Sequence, residues 1–182
     1  MYSGEPPKKM MYCYGVYQPL FDKMEEELPN FALHHGLPAL ADIEEFAEGE
    51  HDLIILDDLM HQVLTSKEME LLFTQTCHHK RISVIFISQN LYEQGKSART
   101  ISLNCGYTVL FKNIRGTSQI ATLGRQLFPG KSNILVESFQ DATSVPFGYL
   151  LIDLTQRCRD DYRLRSKVFP GEDTIVYRPR GL

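Results

Sequence analysis

His51-Asp52-Leu53-Ile54-Ile55-Leu56-Asp57-Asp58-Leu59-Met60 decides how this chain is read. Four consecutive aliphatic residues, Leu53 to Leu56, are too few for a helix and too uniformly apolar for a half-exposed strand. They suit a strand covered on both faces, as in a parallel sheet with helices packed on it. Asp57 and Asp58 follow at the carboxyl end of that strand, the end where open α/β sheets bind ligands. Two carboxylates there can hold a hydrated Mg²⁺ and polarise a water. They can equally serve as a simple cap to the next segment, because Asp often ends strands.

A second run works outward from the first. Ile82-Ser83-Val84-Ile85-Phe86-Ile87 has the same buried-strand pattern and ends in Ser88-Gln89-Asn90. Between them, Thr65 with Glu68 reads as a capping box, and Met69, Leu72, Phe73 and Thr76 recur at helical spacing. Strand, helix, strand is a βαβ unit, and it brings the acidic end and the amide end to the same edge of the sheet.

Length and composition bound what surrounds this unit. With 182 residues, 43% hydrophobic and 23% charged, the chain is expected to be one globular domain over 1–182, with a core over 8–155 and a basic strand and tail over 156–182. No apolar run approaches the roughly 20 residues that span a bilayer. Cys13, Cys77, Cys105 and Cys158 are scattered without a C-x-x-C, as suits reduced thiols. An intracellular location is therefore expected, the nucleus or a viral assembly site included. Cys77-His78-His79 and His34-His35 are adjacent rather than spaced two to five apart, a poor match to a zinc site. Charge is uneven. Residues 1–75 hold four Lys, no Arg and fifteen acids, a balance of −11, whereas residues 76–182 hold fifteen Lys or Arg and eight acids, +7. That asymmetry fits a solvated surface, a basic face for phosphate, or an oppositely charged neighbouring subunit.

Along the chain, Lys9 to Gly15 reads as a strand and Pro19 to Leu28 as a helix opened by its proline. Phe31 to Pro38 reads as loop, and Ala39 to Glu48 as a short amphipathic helix stopped by Gly49. Tyr92 to Asn104 reads as a basic loop with one helical turn, and Tyr107 to Phe111 as a strand. Helices follow from Gly116 to Leu127 and from Ser132 to Phe139. Phe147 to Leu154 is a strand, and Arg163 to Phe169 alternates like an edge strand.

The two strands and their ends resemble the FtsK/HerA-type branch of P-loop ATPases, and more closely the genome-packaging ATPases of double-stranded DNA viruses and Polinton/Maverick elements. Leu53-Ile54-Ile55-Leu56-Asp57-Asp58 is similar to a Walker B strand. Ile85-Phe86-Ile87-Ser88-Gln89-Asn90 is similar to the next strand with its sensor glutamine. The resemblance covers roughly residues 8 to 155. It implies a three-layer α/β fold with a mostly parallel sheet, Mg²⁺ and ATP as ligands, a homo-oligomeric ring, and double-stranded DNA as the moved partner. It further implies that Asp57 holds Mg²⁺ through water and that Asp58 stands where the family's general base, more often Glu, is found. Gln89 would sense the γ-phosphate, and Arg99 is the candidate arginine finger, with a surface-loop residue as the alternative. Lys96, Arg115 and Arg125 are further candidates for contact with phosphate or DNA backbone.

One family motif is absent: no G-x-x-x-x-G-K-[ST] occurs in the 182 residues. Gly130-Lys131-Ser132 ends like one, but Arg125 stands where its first glycine belongs, and Phe128-Pro129 suits a nest of backbone N–H groups poorly. It also follows the Walker B-like strand, whereas the family's loop precedes it, so it reads as a loop-to-helix junction. The first strand and P-loop of the family fold are thus expected to be missing. The sheet would be incomplete, with the sensor strand and the Tyr107 strand each lacking a neighbour. As it stands, the chain is expected not to bind ATP tightly. The rival reading is a non-catalytic module that binds protein or DNA on an ATPase-like fold. A third is an unrelated α/β enzyme using Asp57 and Asp58; neither Cys105 nor Ser88 has an evident paired base.

Overall fold

A computed structural model describes residues 6–47, 51–92 and 96–179. The chain folds as two compact units, Met1–Asn104 and Cys105–Leu182.

The first unit is α/β. Strands β1 (Met10–Tyr14), β2 (Phe31–His35), β3 (Asp52–Asp57) and β4 (Ile82–Phe86) form a parallel sheet in the order β2-β1-β3-β4. Helices α1 (Leu20–Glu27), α2 (Leu40–Phe46), α3 (Met60–Thr65), α4 (Lys67–Leu71) and α5 (Cys77–Lys80) connect them, with α6 (Lys96–Asn104) after β4. A π-helical turn, Leu72–Thr76, joins α4 to α5. On β3, Asp52, Ile54 and Leu56 are buried while Leu53, Ile55 and Asp57 are half-buried. Register puts Met11 beside Ile54 and Cys13 beside Leu56, so one face is continuous across β1 and β3. Phe73 of the π-turn stacks edge-on against Phe86 on that face. Tyr12 and Tyr14 point the other way and meet Phe21 of α1 at 5.2 and 4.8 Å between ring centres. Helices thus lie on both faces of the sheet, as continuous apolar strands require. Each large aliphatic side chain buried here contributes roughly 1.5–3 kcal/mol.

The second unit is antiparallel. Strands β5 (Tyr107–Phe111), β6 (Tyr149–Asp153), β7 (Leu164–Ser166) and β8 (Ile175–Tyr177) pair in the order β5-β6-β7-β8. Helix α7 (Thr117–Leu127) packs on α8 (Asn133–Ala142), and α8 lies against β6 and β7. Leu135, Leu150, Ile152 and Leu164 are fully buried.

Several expectations are corrected. The sheet is not mostly parallel throughout: the four strands after α6 form their own antiparallel sheet, and the connections from β6 to β7 and from β7 to β8 are shorter than the dozen or more residues that a parallel crossover needs. Phe31 to His35 is a strand rather than loop. The segment ending at Asn104 carries a nine-residue helix rather than one turn. Leu164–Ser166 lies inside its sheet, and β8 takes the edge. The helix cap shifts by one residue. Ser66 Oγ accepts from Met69 N–H at 3.3 Å, while Thr65 Oγ donates to the carbonyl of His61 at 2.8 Å. Glu68 turns away and accepts from Leu40 N–H at 3.3 Å.

Candidate functional site

The carboxyl edge of β3 and β4 carries the residues singled out by the sequence. Asp57 is the last residue of β3, and Asp58 follows in the left-handed region at φ 55°. An Asp tolerates that conformation better than most residues, and strain of this kind gathers at functional corners. The corner is braced from β1. Gly15 N–H donates to the Asp57 carbonyl at 3.2 Å. A Cβ at Gly15 would lie 2.6 Å from the Asp58 carbonyl oxygen, so only glycine fits there without displacement.

Tyr12 holds the Asp57 carboxylate. Its hydroxyl donates to Oδ2 at 2.6 Å, and its ring is wedged between Phe21 and Phe31. Burial, together with the neighbouring Asp57 charge, pushes the Tyr12 hydroxyl well above its usual range. Among the described residues no further hydrogen bond to the Asp57 carboxylate is seen. This arrangement fits a carboxylate that meets a hydrated cation through water, and Asp58 lies exposed beside it. Among the described residues no group of three His, Cys, Asp or Glu converges on one point, so the remaining ligands of any Mg²⁺ would be water and phosphate oxygens.

Beyond β4 the chain stays paired for one more residue, Ile87 N–H donating to the Leu56 carbonyl at 3.0 Å. Ser88 then turns: its hydroxyl donates to the Asn90 carbonyl at 2.7 Å and touches Met60 Sδ at 3.3 Å, at the start of α3. Gln89 lies exposed in that turn. The adjacent pairing of β3 and β4 therefore brings Asp57, Asp58 and Gln89 to one edge. Arg99 is on an exposed turn of α6, and among the described residues neither a hydrogen bond nor an ion pair links it to either aspartate. The side chains of Lys96 and Arg115 lie outside the described residues, while Arg125 donates to Thr122 on its own helix at 3.0 Å. Lys131 and Ser132 form the turn between α7 and α8, with no strand before it. Gly124 has a packing role: a Cβ there would lie 2.6 Å from the Ser132 carbonyl.

The basic tail of the second unit is largely self-engaged. Arg165 pairs with the buried Asp153 at 2.5 Å, Arg163 with Asp160 at 2.9 Å and Arg159 with Asp161 at 3.2 Å. Arg178 sits 4.5 Å above the Tyr162 ring. Burial works to raise the Asp153 pKa, but two bonds from Thr155 and the Arg165 charge outweigh it and hold the carboxyl below the usual range. All four cysteines are free thiols; burial pushes Cys13 up to about 12 and Cys77 up to about 11. Among the described residues no helix is long and apolar enough to cross a membrane.

Sequence reading missed Tyr12 and Gly15. The signal for Tyr12 was the Tyr12/Tyr14 alternation on β1, but its aim at Asp57 depends on a register, Tyr14 beside Asp57, that no local pattern encodes. Comparison with protein-family models, with curated proteins and with solved structures gives no match.

Proposed function

We propose that this chain carries the acidic-strand and sensor-strand part of an ATP-driven translocase core of the FtsK/HerA type, acting on double-stranded DNA as a homo-oligomeric ring. Asp57 would hold Mg²⁺ through water, Asp58 would orient the attacking water, Gln89 would sense the γ-phosphate, and Arg99 would reach a neighbouring subunit's nucleotide. The observation that carries the reading is the parallel pairing of β3 with β4. It sets two aspartates and a glutamine at the carboxyl edge of one sheet, with Tyr12 and Gly15 bracing the acidic corner. The Asp58 side chain is one methylene shorter than the Glu usual at that place, so its water would sit closer to the strand end. Since none of the 182 residues supplies a phosphate cradle with its lysine, the chain by itself is not expected to bind ATP tightly.

The test is hydrolysis. A chain to which a strand, a Gly-rich loop ending in Gly-Lys-Thr and a helix have been added ahead of β1 should turn over Mg·ATP, faster with double-stranded DNA. Asp58→Asn should lower the rate at least 10²-fold. An extended chain indifferent to Asp58→Asn would remove this residue from the mechanism. A non-catalytic interaction module is the second reading, favoured by apolar residues left exposed on β4 and β5.

A further inference from the structure

The antiparallel sheet has one closed face and one open face. Leu110 of β5, Leu150 and Ile152 of β6 and Leu164 of β7 are buried on the side of α8. Register puts the alternate residues on the opposite face: Phe111 beside Tyr149, Val109 beside Leu151, Leu151 beside Arg165 and Tyr107 beside Asp153. That face keeps large side chains in water. Tyr107 is 45% exposed, Val109 47% and Phe111 61%, and Phe169, in the chain after β7, is 63% exposed. Single exposed apolar residues mean little, whereas a contiguous patch marks an interaction surface.

The patch is aromatic and pre-arranged. Ring centres of Phe111 and Tyr149 are 6.2 Å apart, and those of Tyr149 and Phe169 5.6 Å, so three rings form a chain from β5 across β6. Tyr149 is fixed in place, its hydroxyl accepting from Val168 N–H at 2.8 Å. Tyr107 stands at the other end of β5, about 13 Å from Phe111 along the strand.

Cations lie at both ends of the face. Lys112 directly follows Phe111, and Lys167 lies just before Phe169; both are exposed. At the Tyr107 end, Asp153 N–H donates to the Arg163 carbonyl, and Arg163, Arg178, Arg159 and Gln156 line a cavity of about 710 Å³. Arg163 and Arg159 are tied to Asp160 and Asp161. Arg178 is stacked 4.5 Å from the Tyr162 ring centre, and among the described residues its guanidinium has no hydrogen bond or ion pair. Its N–H donors are open to a phosphate. Of the nearby carboxylates, Asp153 is tied to Arg165 and Glu172 accepts from Phe169 N–H at 3.2 Å, while Asp173 is exposed.

Spaced rings with cations at either end match an unpaired nucleic-acid strand, in which every base has a π-face to stack and every phosphate a charge to meet. An apolar protein surface would match the rings and leave the cations without partners. A duplex hides the faces of its bases. We infer that this face binds single-stranded nucleic acid, stacking bases on Phe111, Tyr149 and Phe169 and setting phosphates against Arg178, Lys112 and Lys167. The site belongs to the second unit and does not depend on the nucleotide reading.

Fluorescence anisotropy of a labelled 12-nucleotide oligo(dT), titrated with the full chain, tests this. Micromolar binding is expected at low salt, roughly 10-fold tighter than to a duplex of the same length. Phe111→Ala and Phe169→Ala should each weaken it about 10-fold, whereas Leu103→Ala, 75% exposed on α6, should leave it unchanged. Arg178→Gln should weaken binding at low salt and flatten its salt dependence. No binding up to 100 μM protein overturns the inference. So does equal affinity for the duplex, or for a base-free strand of the same length, which would mean phosphate contact alone. Unchanged binding by both phenylalanine variants overturns it too. If either variant loses its far-UV circular dichroism, the duplex and base-free comparisons decide, since both use the parent chain.

Discussion

Replacing Gly15 with alanine should damage the acidic corner from the strand beside it. The new Cβ would lie 2.6 Å from the Asp58 carbonyl oxygen and 3.4 Å from Asp58 Oδ2. Ordinary contact begins near 3.4 Å, so backbone must move by about 0.8 Å. The obstacle is a carbonyl of a residue already at φ 55°, held between β3 and α3, rather than the free end of a side chain. Overpacking of that kind costs about 1–3 kcal/mol. For a unit of this size that is a fall in Tm of roughly 5–20 °C. Thermal unfolding followed by far-UV circular dichroism reads it. Gly106→Ala is the internal reference: its Cβ would meet only Thr155 Cγ2, at an ordinary 3.4 Å, and stability should stay within about 0.5 kcal/mol. Equal, near-zero effects at Gly15 and Gly106 would refute the claim that Gly15 is required by the Asp58 corner.

Arg165→Met should cost about 2–4 kcal/mol, because it strands a buried Asp153 carboxylate, 9% exposed, without its cation; urea unfolding checks this, and a loss under 0.5 kcal/mol contradicts it. The folded Asp153 pKa is depressed, so its contribution is complete above about pH 4 and is lost as pH falls through the lower folded value; acid titration of Asp153→Asn should show a flatter loss than the parent. The folded Tyr12 pKa is raised, so its contribution is present below about pH 10 and is lost as pH climbs further. Tyr12→Phe should shallow that alkaline loss and cost about 1–2 kcal/mol at pH 7; an unchanged alkaline limb would break the assignment to Tyr12.

Strands β3 and β4 were legible because four or more apolar residues in a row, closed by polar groups, admit few other structures. The acidic and amide ends came with them. Phe31-Ala32-Leu33-His34-His35 was not legible. It has no β-branched residue, sits between Pro29-Asn30 and Gly36, and is a strand because β1 offers a partner at a fixed register, Met10 beside Phe31. Lys96 to Asn104 reads as loop because it is polar; packing against α3, α4 and the π-turn makes it a helix that carries Arg99. The cap moved from Thr65 to Ser66 because Thr65 closes α3 through the His61 carbonyl, a choice settled by where α3 ends. The separation of β5 from the parallel sheet is a matter of topology, and nothing in Tyr107 to Phe111 itself distinguishes a parallel partner from an antiparallel one.

On the proposed function, Asp57 and Asp58 would form the metal-facing edge of a nucleotide site whose phosphate cradle these 182 residues do not supply. Calorimetric titration of Mg·ATP into this chain, and into one carrying an added strand, Gly-rich loop and helix, tests it most directly. Heat is expected only from the extended chain, and should be lost on Asp57→Asn. Tight binding by the chain alone, or extended-chain binding unaffected by Asp57→Asn, would contradict it.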